Sequence, residues 1–478
     1  MSRRTKIIAT LGPASNSPEQ IKALILAGAN VFRLNFSHGS WEEQGARAEL
    51  VKSIATECNQ HIALMADLQG PKIRIQGFKE GSVELIAGQD FALDTELDAK
   101  AGDPTQVGVL YKALPADCKV GDRLLLDDGR IELDIENISG SRINTKVSTG
   151  GKLSNNKGIN LAGGGLSAPA LTEKDLADLE CAAKLNIDYL AISFPKSAQD
   201  MEYARAEASK AGYNGHLIAK MERSESVATQ ETMDAIIQAS DAIMVARGDL
   251  GVEIGDAQLV GIQKRLILRA RQLNKIVITA TQMMESMIDS PLPTRAEVFD
   301  VANAVLDGTD AVMLSGETAV GKHPDKVVAA MDRVIRGAEK ERMTTKSQHR
   351  LDRQFDSTEE TIAMAAMYAA NQMENMKAIV CHTESGTTPL LMSRIRSGIP
   401  IYALSSNPGT LRRLAMVRGV TPVLFNEKLG SVAETIKSSL AKLKADNLIA
   451  VGDQMIVSIG DSIGKSGHTN TLKLLTME

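Results

Sequence analysis

Aromatic residues are scarce: six Tyr, eight Phe and one Trp make up 3% of the 478 residues. So few rings leave little to stack nucleic-acid bases on or to line a membrane surface. Cysteine is rarer still. Cys58, Cys118, Cys181 and Cys381 stand far apart with no CxxC pair. That excludes a disulfide framework and a Cys-based zinc site, and it fits a reducing compartment. The seven histidines are scattered, without an HExxH-like pair. No apolar run is long enough for a bilayer, and Met1–Thr10 lacks the extended apolar core of a signal peptide. Nor is there an excess of basic residues: 54 Lys and Arg face 59 Asp and Glu, a formal net charge of -5. A nucleic-acid binder held by bulk electrostatics is thereby disfavoured. A soluble, cytoplasmic protein without membrane or nucleic-acid partners is expected, and an anionic substrate would require a local basic cluster.

Apolar residues make up 43% of the chain, whose length suits about three domains. Ile7–Leu11 reads as a strand. Ser17 as N-cap, Pro18 in the first turn and Gln20 at the capping-box position open a helix that ends near Ala27-Gly28. Strands near Val31–Leu34 and Ile62–Ala66 flank a helix from about Trp41 to Glu57. Between Pro71 and Ser167 the pattern shortens and alternates, with a hairpin at Leu124–Leu126, Asp128-Gly129 and Ile131–Ile135. Strand–helix alternation resumes at Thr172 with five more strands, near Tyr189–Ile192, Leu217–Ala219, Ala242–Ala246, Ile276–Thr279 and Ala311–Leu314. Three strands plus five make eight, and the polar clusters fall just after them. That favours a (β/α)₈ TIM barrel over an open doubly wound sheet. The expected α/β architecture is a barrel from residues 1–70 and 168–340, an inserted small β-barrel lid domain at 71–167, and a C-terminal α/β domain at 341–478. The cluster Met283, Met284 and Met287 reads as adaptable packing.

Barrel active sites form on the loops after the strands. There the sequence places Arg33, Asn35, Ser37 and His38; Asp67, Lys72 and Arg74; Ser193 and Phe194; Lys220 and Glu222; Arg247, Gly248 and Asp249; Thr281 and Gln282; Ser315 and Glu317. Lys220 and Glu222, two apart at a strand end, face one side. A lysine and a carboxylate aimed into one pocket suit an anionic substrate beside a divalent cation, although such a pair is also an ordinary salt bridge. Asp249 follows Gly248, where the backbone can approach a ligand; taken alone, the motif reads better as a turn with a capping Asp. Glu222 and Asp249 would be contributed by adjacent strands, and two carboxylates with room for water and phosphate oxygens fit Mg²⁺. Arg33, Arg74 and Lys220 supply the local positive charge that phosphoryl transfer needs. In the C-terminal domain, Thr383, Ser385, Gly386, Thr387 and Thr388 precede a helix expected to start at Pro389. Hydroxyls and a Gly there make either an anion site or a plain N-cap turn.

These stretches resemble the pyruvate kinase family over almost the whole chain. The resemblance rests on Lys6–Ser15, Arg33–Gly39 (RLNFSHG), Asp67–Arg74 (DLQGPKIR), Lys220-Met221-Glu222, Ile243–Glu253, Thr279–Met283, Pro293–Glu297 and Met313–Thr318. It implies an Mg²⁺-dependent enzyme, with Mn²⁺ as a substitute, that moves a phosphoryl group from phosphoenolpyruvate to ADP in a homotetramer. By the same resemblance Arg33 and Lys220 meet the substrate phosphate, and Glu222 and Asp249 hold the metal. N–H groups around Arg247–Asp249, Gly248 included, and Thr281 hold the carboxylate. Thr281 is also a candidate in the proton relay. Arg74, Lys157, Asn35 and His38 serve the nucleotide.

Potassium-requiring relatives carry Glu where Lys72 stands and Thr-Lys where Leu68-Gln69 stand. Asn35, Ser37 and Asp67 remain of the monovalent-cation cage, so Lys72 is expected to replace the ion and K⁺ to be dispensable. The Thr383–Thr388 loop implies a phosphorylated effector. Relatives answering to fructose bisphosphate commonly add a Trp and an Arg in later loops. Here the last loop reads Ile463-Gly-Lys-Ser-Gly-His468, without either, which points to a monophosphate. Two other classes fit part of the pattern: an Mg²⁺ barrel enzyme acting on a 2-oxo acid enolate without nucleotide, and a non-catalytic metabolite sensor.

Overall fold

Runs that are apolar throughout become strands buried on both faces. All five residues of β1 (Lys6–Thr10) and all five of β3 (Ala63–Asp67) are buried, while β2 (Val31–Asn35) leaves Arg33 and Asn35 partly exposed. The computed structural model describes residues 3–345, 353–427, 430–461 and 467–478. Among them, β1–β3 join β12 (Tyr189–Ile192), β13 (His216–Met221), β14 (Ala242–Ala246), β15 (Ile276–Ala280) and β16 (Ala311–Leu314). These eight strands close into a barrel in sequence order. The pairings of β1 with β2 and β16, of β13 with β14, and of β15 with β16 are all parallel. The chain divides into two compact units: Met1–Ala66, Lys184–Leu190 and Ile267–Glu478 form one, Asp67–Ala183 and Ala191–Leu266 the other.

In the first unit the expected capping box is present: Ser17 Oγ accepts the Gln20 N–H at the start of the helix Pro18–Ala27. Met283, Met284 and Met287 are fully buried, as packing residues should be. The C-terminal region forms a five-stranded sheet, β17 (Met376–His382), β18 (Ile401–Ser405), β19 (Val420–Leu424), β20 (Gln454–Gly460) and β21 (Thr469–Thr476), in the order β19-β18-β17-β20-β21. Its last strand runs antiparallel to β20. Arg394 ties this region to the start of the barrel strands, donating from Nη1 to Asp310 Oδ2 at 3.0 Å with both side chains 1% exposed. Residues Ile463–Ser466 of the last loop, and 346–352 of the expected connection, lie outside the described residues.

In the second unit the segment after β3 is entirely β apart from one short helix. It holds β4 (Ser82–Leu85), β5 (Asp90–Asp94), β6 (Gln106–Gly108), β7 (Arg123–Leu126), β8 (Ile131–Ser139), β9 (Arg142–Thr149), β10 (Gly151–Ser154) and β11 (Ile159–Leu161). Hydrogen bonding sorts them into a six-stranded sheet, β11-β7-β8-β9-β5-β6, and the pair β10-β4. The alternating inward residues, among them Phe91, Leu93, Leu124, Leu133, Ile143 and Val147, form its own core. The expected hairpin is there, with Leu126 opposite Ile131.

Candidate active site

One feature of the strand ends runs against the sequence reading. Asp249, which alone reads as a capping residue in a turn, lies instead in the first turn of the α-helix Arg247–Ile254, which begins directly on β14. First-turn N–H groups of a helix have no partner inside it, so they and the helix dipole favour an anion.

The second unit gathers most of the charged strand-end residues. Lys220, at the end of β13, points its ammonium at three oxygens: Ser193 Oγ at 2.8 Å, Glu222 Oε1 at 2.9 Å and Asp67 Oδ1 at 3.2 Å. Glu222 and Asp67 are each 1% exposed. The second oxygen of Glu222 accepts the N–H of Phe194 at 2.9 Å. Phe194 follows β12 in the left-handed region, φ +59°, a conformation that a bulky residue adopts only where its surroundings impose it. Lys72 reaches Asp249 Oδ1 at 3.2 Å, a partner 177 residues away that no sequence signal indicates.

Burial pushes the Glu222 carboxyl up to about 7; Lys220 pulls it down, and Asp249 and Asp67 push it up. Three carboxylates, Asp67, Glu222 and Asp249, thus stand near two ammonium groups, Lys220 and Lys72. Hard oxygen donors with surplus negative charge fit a divalent cation. Among the described residues no group of three or more His, Cys, Asp or Glu side chains is placed to hold a metal ion by itself.

Arg74 and Lys157 lie on two segments that meet at one backbone bridge, each with its own side-chain partner. The strand leaving the barrel pairs with the one returning, Arg74 opposite Gly158, and Arg74 Nη1 donates to Asn156 O at 2.9 Å. Lys157 forms an ion pair with Asp127 at 2.7 Å.

The remaining site residues belong to the first unit. Arg33 is the third of the five residues of β2 and donates to Thr10 Oγ1 at 3.3 Å. Asn35 Oδ1 accepts the Ser37 N–H at 3.1 Å, and His38 is exposed. Thr281 and Gln282 follow β15 with φ of +68° and +53°. For a β-branched Thr this is a strained conformation, of the kind that persists at functional loops. Glu317 takes a scaffolding place: buried, it accepts the N–H groups of Ser315 and Met284.

In the C-terminal region the Thr383 hydroxyl accepts the Gly386 N–H at 3.0 Å, and Ser385 and Thr387 share a hydrogen bond at 2.9 Å. The helix starts at Thr387, two residues before Pro389. Thr388 departs from its expected place. It is 2% exposed and faces Thr469 Oγ1 at 3.0 Å, so its hydroxyl is turned into the domain rather than toward a ligand.

A lysine held between two buried carboxylates where parallel barrel strands end is the arrangement of an α/β-barrel enzyme. Comparison with known proteins makes this specific. The family model for the pyruvate kinase barrel domain matches residues 2–328, and that for the pyruvate kinase alpha/beta domain matches residues 360–475. Pyruvate kinase II of Salmonella typhimurium is 56% identical over 476 residues, covering 100% of this chain and 99% of the relative. The pyruvate kinase of Haemophilus influenzae is 54% identical over 476 residues, covering 100% of this chain and 99% of its own. That of Buchnera aphidicola subsp. Acyrthosiphon pisum is 54% identical over 473 residues, covering 99% of this chain and 98% of its own. The chain belongs to the pyruvate kinase family.

Proposed function

We propose that the protein transfers a phosphoryl group from phosphoenolpyruvate to ADP, giving pyruvate and ATP. The observation that carries the reading is Lys220 held among Ser193, Asp67 and Glu222, with Asp249 beside them, in a chain matched along its length by pyruvate kinases. Loss of the phosphoryl group leaves an enolate. The ammonium of Lys220 is fixed where negative charge grows on the leaving oxygen and the moving group, and needs little reorganisation to stabilise it. Arg33 holds the phosphate, and the start of the helix Arg247–Ile254 holds the carboxylate. Thr281 orients the proton that reaches the enolate carbon. Glu222 and Asp249 would hold a Mg²⁺ ion, which would supply further neutralisation of the negative charge. Arg74 and Lys157 are the two cations assigned to the polyphosphate, and their presence favours this reading over an enolate lyase that uses no nucleotide.

The segment 71–167 acts as a lid that excludes water while ADP accepts the phosphoryl group. The protein works in the cytoplasm as a homotetramer. Among the described residues no helix is long and apolar enough to cross a membrane. Lys72 takes the part of K⁺. A coupled assay tests the reading: pyruvate should form only with both ADP and Mg²⁺ present. Formation that ignores ADP would sink it.

The loop of Thr383, Ser385, Gly386 and Thr387 binds the phosphate of an activator, without Thr388. With no Trp in the C-terminal region to cover a second phosphate, a hexose or pentose monophosphate or AMP should activate more strongly than fructose bisphosphate. Titration of rate against each ligand decides this; strong activation by fructose bisphosphate alone would reject it.

A further inference from the structure

The lid segment leaves and re-enters the barrel at two crossings, and both touch the helix Arg247–Ile254. On the outgoing side Lys72 pairs with Asp249 at 3.2 Å. On the returning side Glu253, one turn beyond Asp249 on the same helix, is 5% exposed and accepts two hydrogen bonds. One comes from Asn160 Nδ2 at 3.3 Å, in the returning strand, and one from the Ser224 N–H at 2.8 Å. The carbonyl oxygen of Glu253 accepts the Gly163 N–H at 3.1 Å. Around it the return segment is stitched to residues just after Lys220 and Glu222. Ser224 Oγ donates to Gly163 O at 2.7 Å, Gly165 N–H to Glu225 Oε1 at 2.7 Å, and Arg223 Nη2 to Leu166 O at 3.1 Å.

Gly164 fixes how closely these layers approach. Its φ is +84°, and a Cβ there would stand 2.1 Å from Ser224 Oγ. The sequence reads Gly163-Gly164-Gly165 as a flexible connection; at this position it is also a contact only glycine permits. Lys72, Asn160, Phe194, Arg223, Asp249 and Glu253 all line one pocket at this junction.

We infer that Glu253 is a positioning residue for Asp249: it locks the helix that presents the metal-binding carboxylate to the returning strand of the lid, so that lid movement and metal affinity are coupled. The inference rests on Asp249 as a metal ligand and on the 71–167 segment as a lid, both from the function proposed above. A short helix pinned at both crossings cannot tilt independently of the lid. Two buried N–H donors need two acceptor positions, which the Glu253 carboxylate supplies. A glutamine supplies one, and the Asn160 amide can turn its oxygen toward the new NH₂, so the conservative variant should preserve the lock.

The test measures Mn²⁺ binding to the full-length protein by electron paramagnetic resonance, together with kcat and KM for ADP, in Glu253→Ala, Glu253→Gln, Asn160→Ala and the Ala double variant. Glu253→Ala should weaken Mn²⁺ binding about tenfold, in the range for residues that orient a metal ligand, and raise KM for ADP. Glu253→Gln should stay near wild type. The decisive variant is Asn160→Ala. It lies on the lid strand and its partner is Glu253, yet Mn²⁺ binding should weaken as well, and the double variant should be no worse than Glu253→Ala. Unchanged Mn²⁺ affinity in Asn160→Ala, or fully additive losses, would overturn the inference. If Glu253→Ala does not fold, Asn160→Ala alone carries the decision. Wild-type protein that binds no Mn²⁺ would overturn the proposed function itself, and this inference with it.

Discussion

Lys220→Met should lower the rate of phosphoryl transfer about a thousandfold or more, because removing even one fixed hydrogen-bond donor to developing charge costs two to three orders of magnitude. Exchange of the pyruvate methyl protons, which needs the enolate but no moving phosphoryl group, should fall far less. Sequence alone suggests that the fold would tolerate this change, since a cation in a pocket has little packing role. The structure revises that expectation. Lys220 stands between Asp67 and Glu222, both 1% exposed, and removing one member of a buried ion pair leaves uncompensated charge worth about 3–5 kcal/mol. Glu222, already pushed up to about 7 by burial, loses the neighbour that pulls it down and should carry a proton at neutral pH. The variant should therefore melt at a lower temperature than wild type, with Mg²⁺ restoring part of the difference by replacing the lost positive charge. Proton exchange followed by NMR and transfer followed by the coupled assay, both below the variant's melting range, separate the two effects. Equal loss of both activities would contradict the role assigned to Lys220.

The barrel was legible because its strands are short apolar runs at regular spacing, and the periodicity of the intervening helices is strong. The helix Arg247–Ile254 was not. It carries Gly248 and Gly251, both poor helix formers, and Ala246 before it offers no side-chain cap. Tertiary packing, not local preference, makes it helical. Strands β4, β5, β6, β10 and β11 are three to five residues long, too short for alternation to stand out. The edge strand Val420–Leu424 is hard to place from sequence. It contains Pro422, which lacks a backbone donor and is tolerated only at an edge. At the site, residue types and spacing indicated which side chains matter, but not whom they touch. Lys72 with Asp249, and Asn160 with Glu253, are separated by 177 and 93 residues, and such pairs exist only once the barrel has closed. The inward turn of Thr388 was equally invisible, since a hydroxyl reads as polar whichever way it faces.

The protein should reach full activity without K⁺. In potassium-requiring relatives a Glu stands at position 72 and a Thr at position 68. Here Leu68 is 2% exposed and offers no side-chain oxygen, so the cage lacks one of its ligands. Lys72 brings a permanent charge instead, and the structure shows where it goes: to Asp249 at 3.2 Å, among the same carboxylates that include Asp67 and Glu222. A monovalent cation there would meet an ammonium already in place. Two unit charges about 4 Å apart repel by about 4 kcal/mol at the effective dielectric of a protein site, more than a weakly bound K⁺ can recover. Activity in Na⁺ or tetramethylammonium should match activity in KCl at equal ionic strength, which must be held constant because salt screens the phosphates. Activation by K⁺ of about tenfold, equivalent to about 1.4 kcal/mol of barrier, would refute the idea. The converse variant is more demanding. Lys72→Glu replaces an attractive partner of Asp249 with a repulsive one, so activity in Na⁺ should fall about a hundredfold, as expected when a fixed charge in the site is reversed. K⁺ should restore part of it, because an added cation then relieves the carboxylate crowding. Leu68 still withholds an oxygen, so the rescue should stay incomplete in Lys72→Glu and improve when Leu68→Thr is added. A Lys72→Glu variant as active in Na⁺ as the wild type would show that the charge at position 72 plays no part in the reaction.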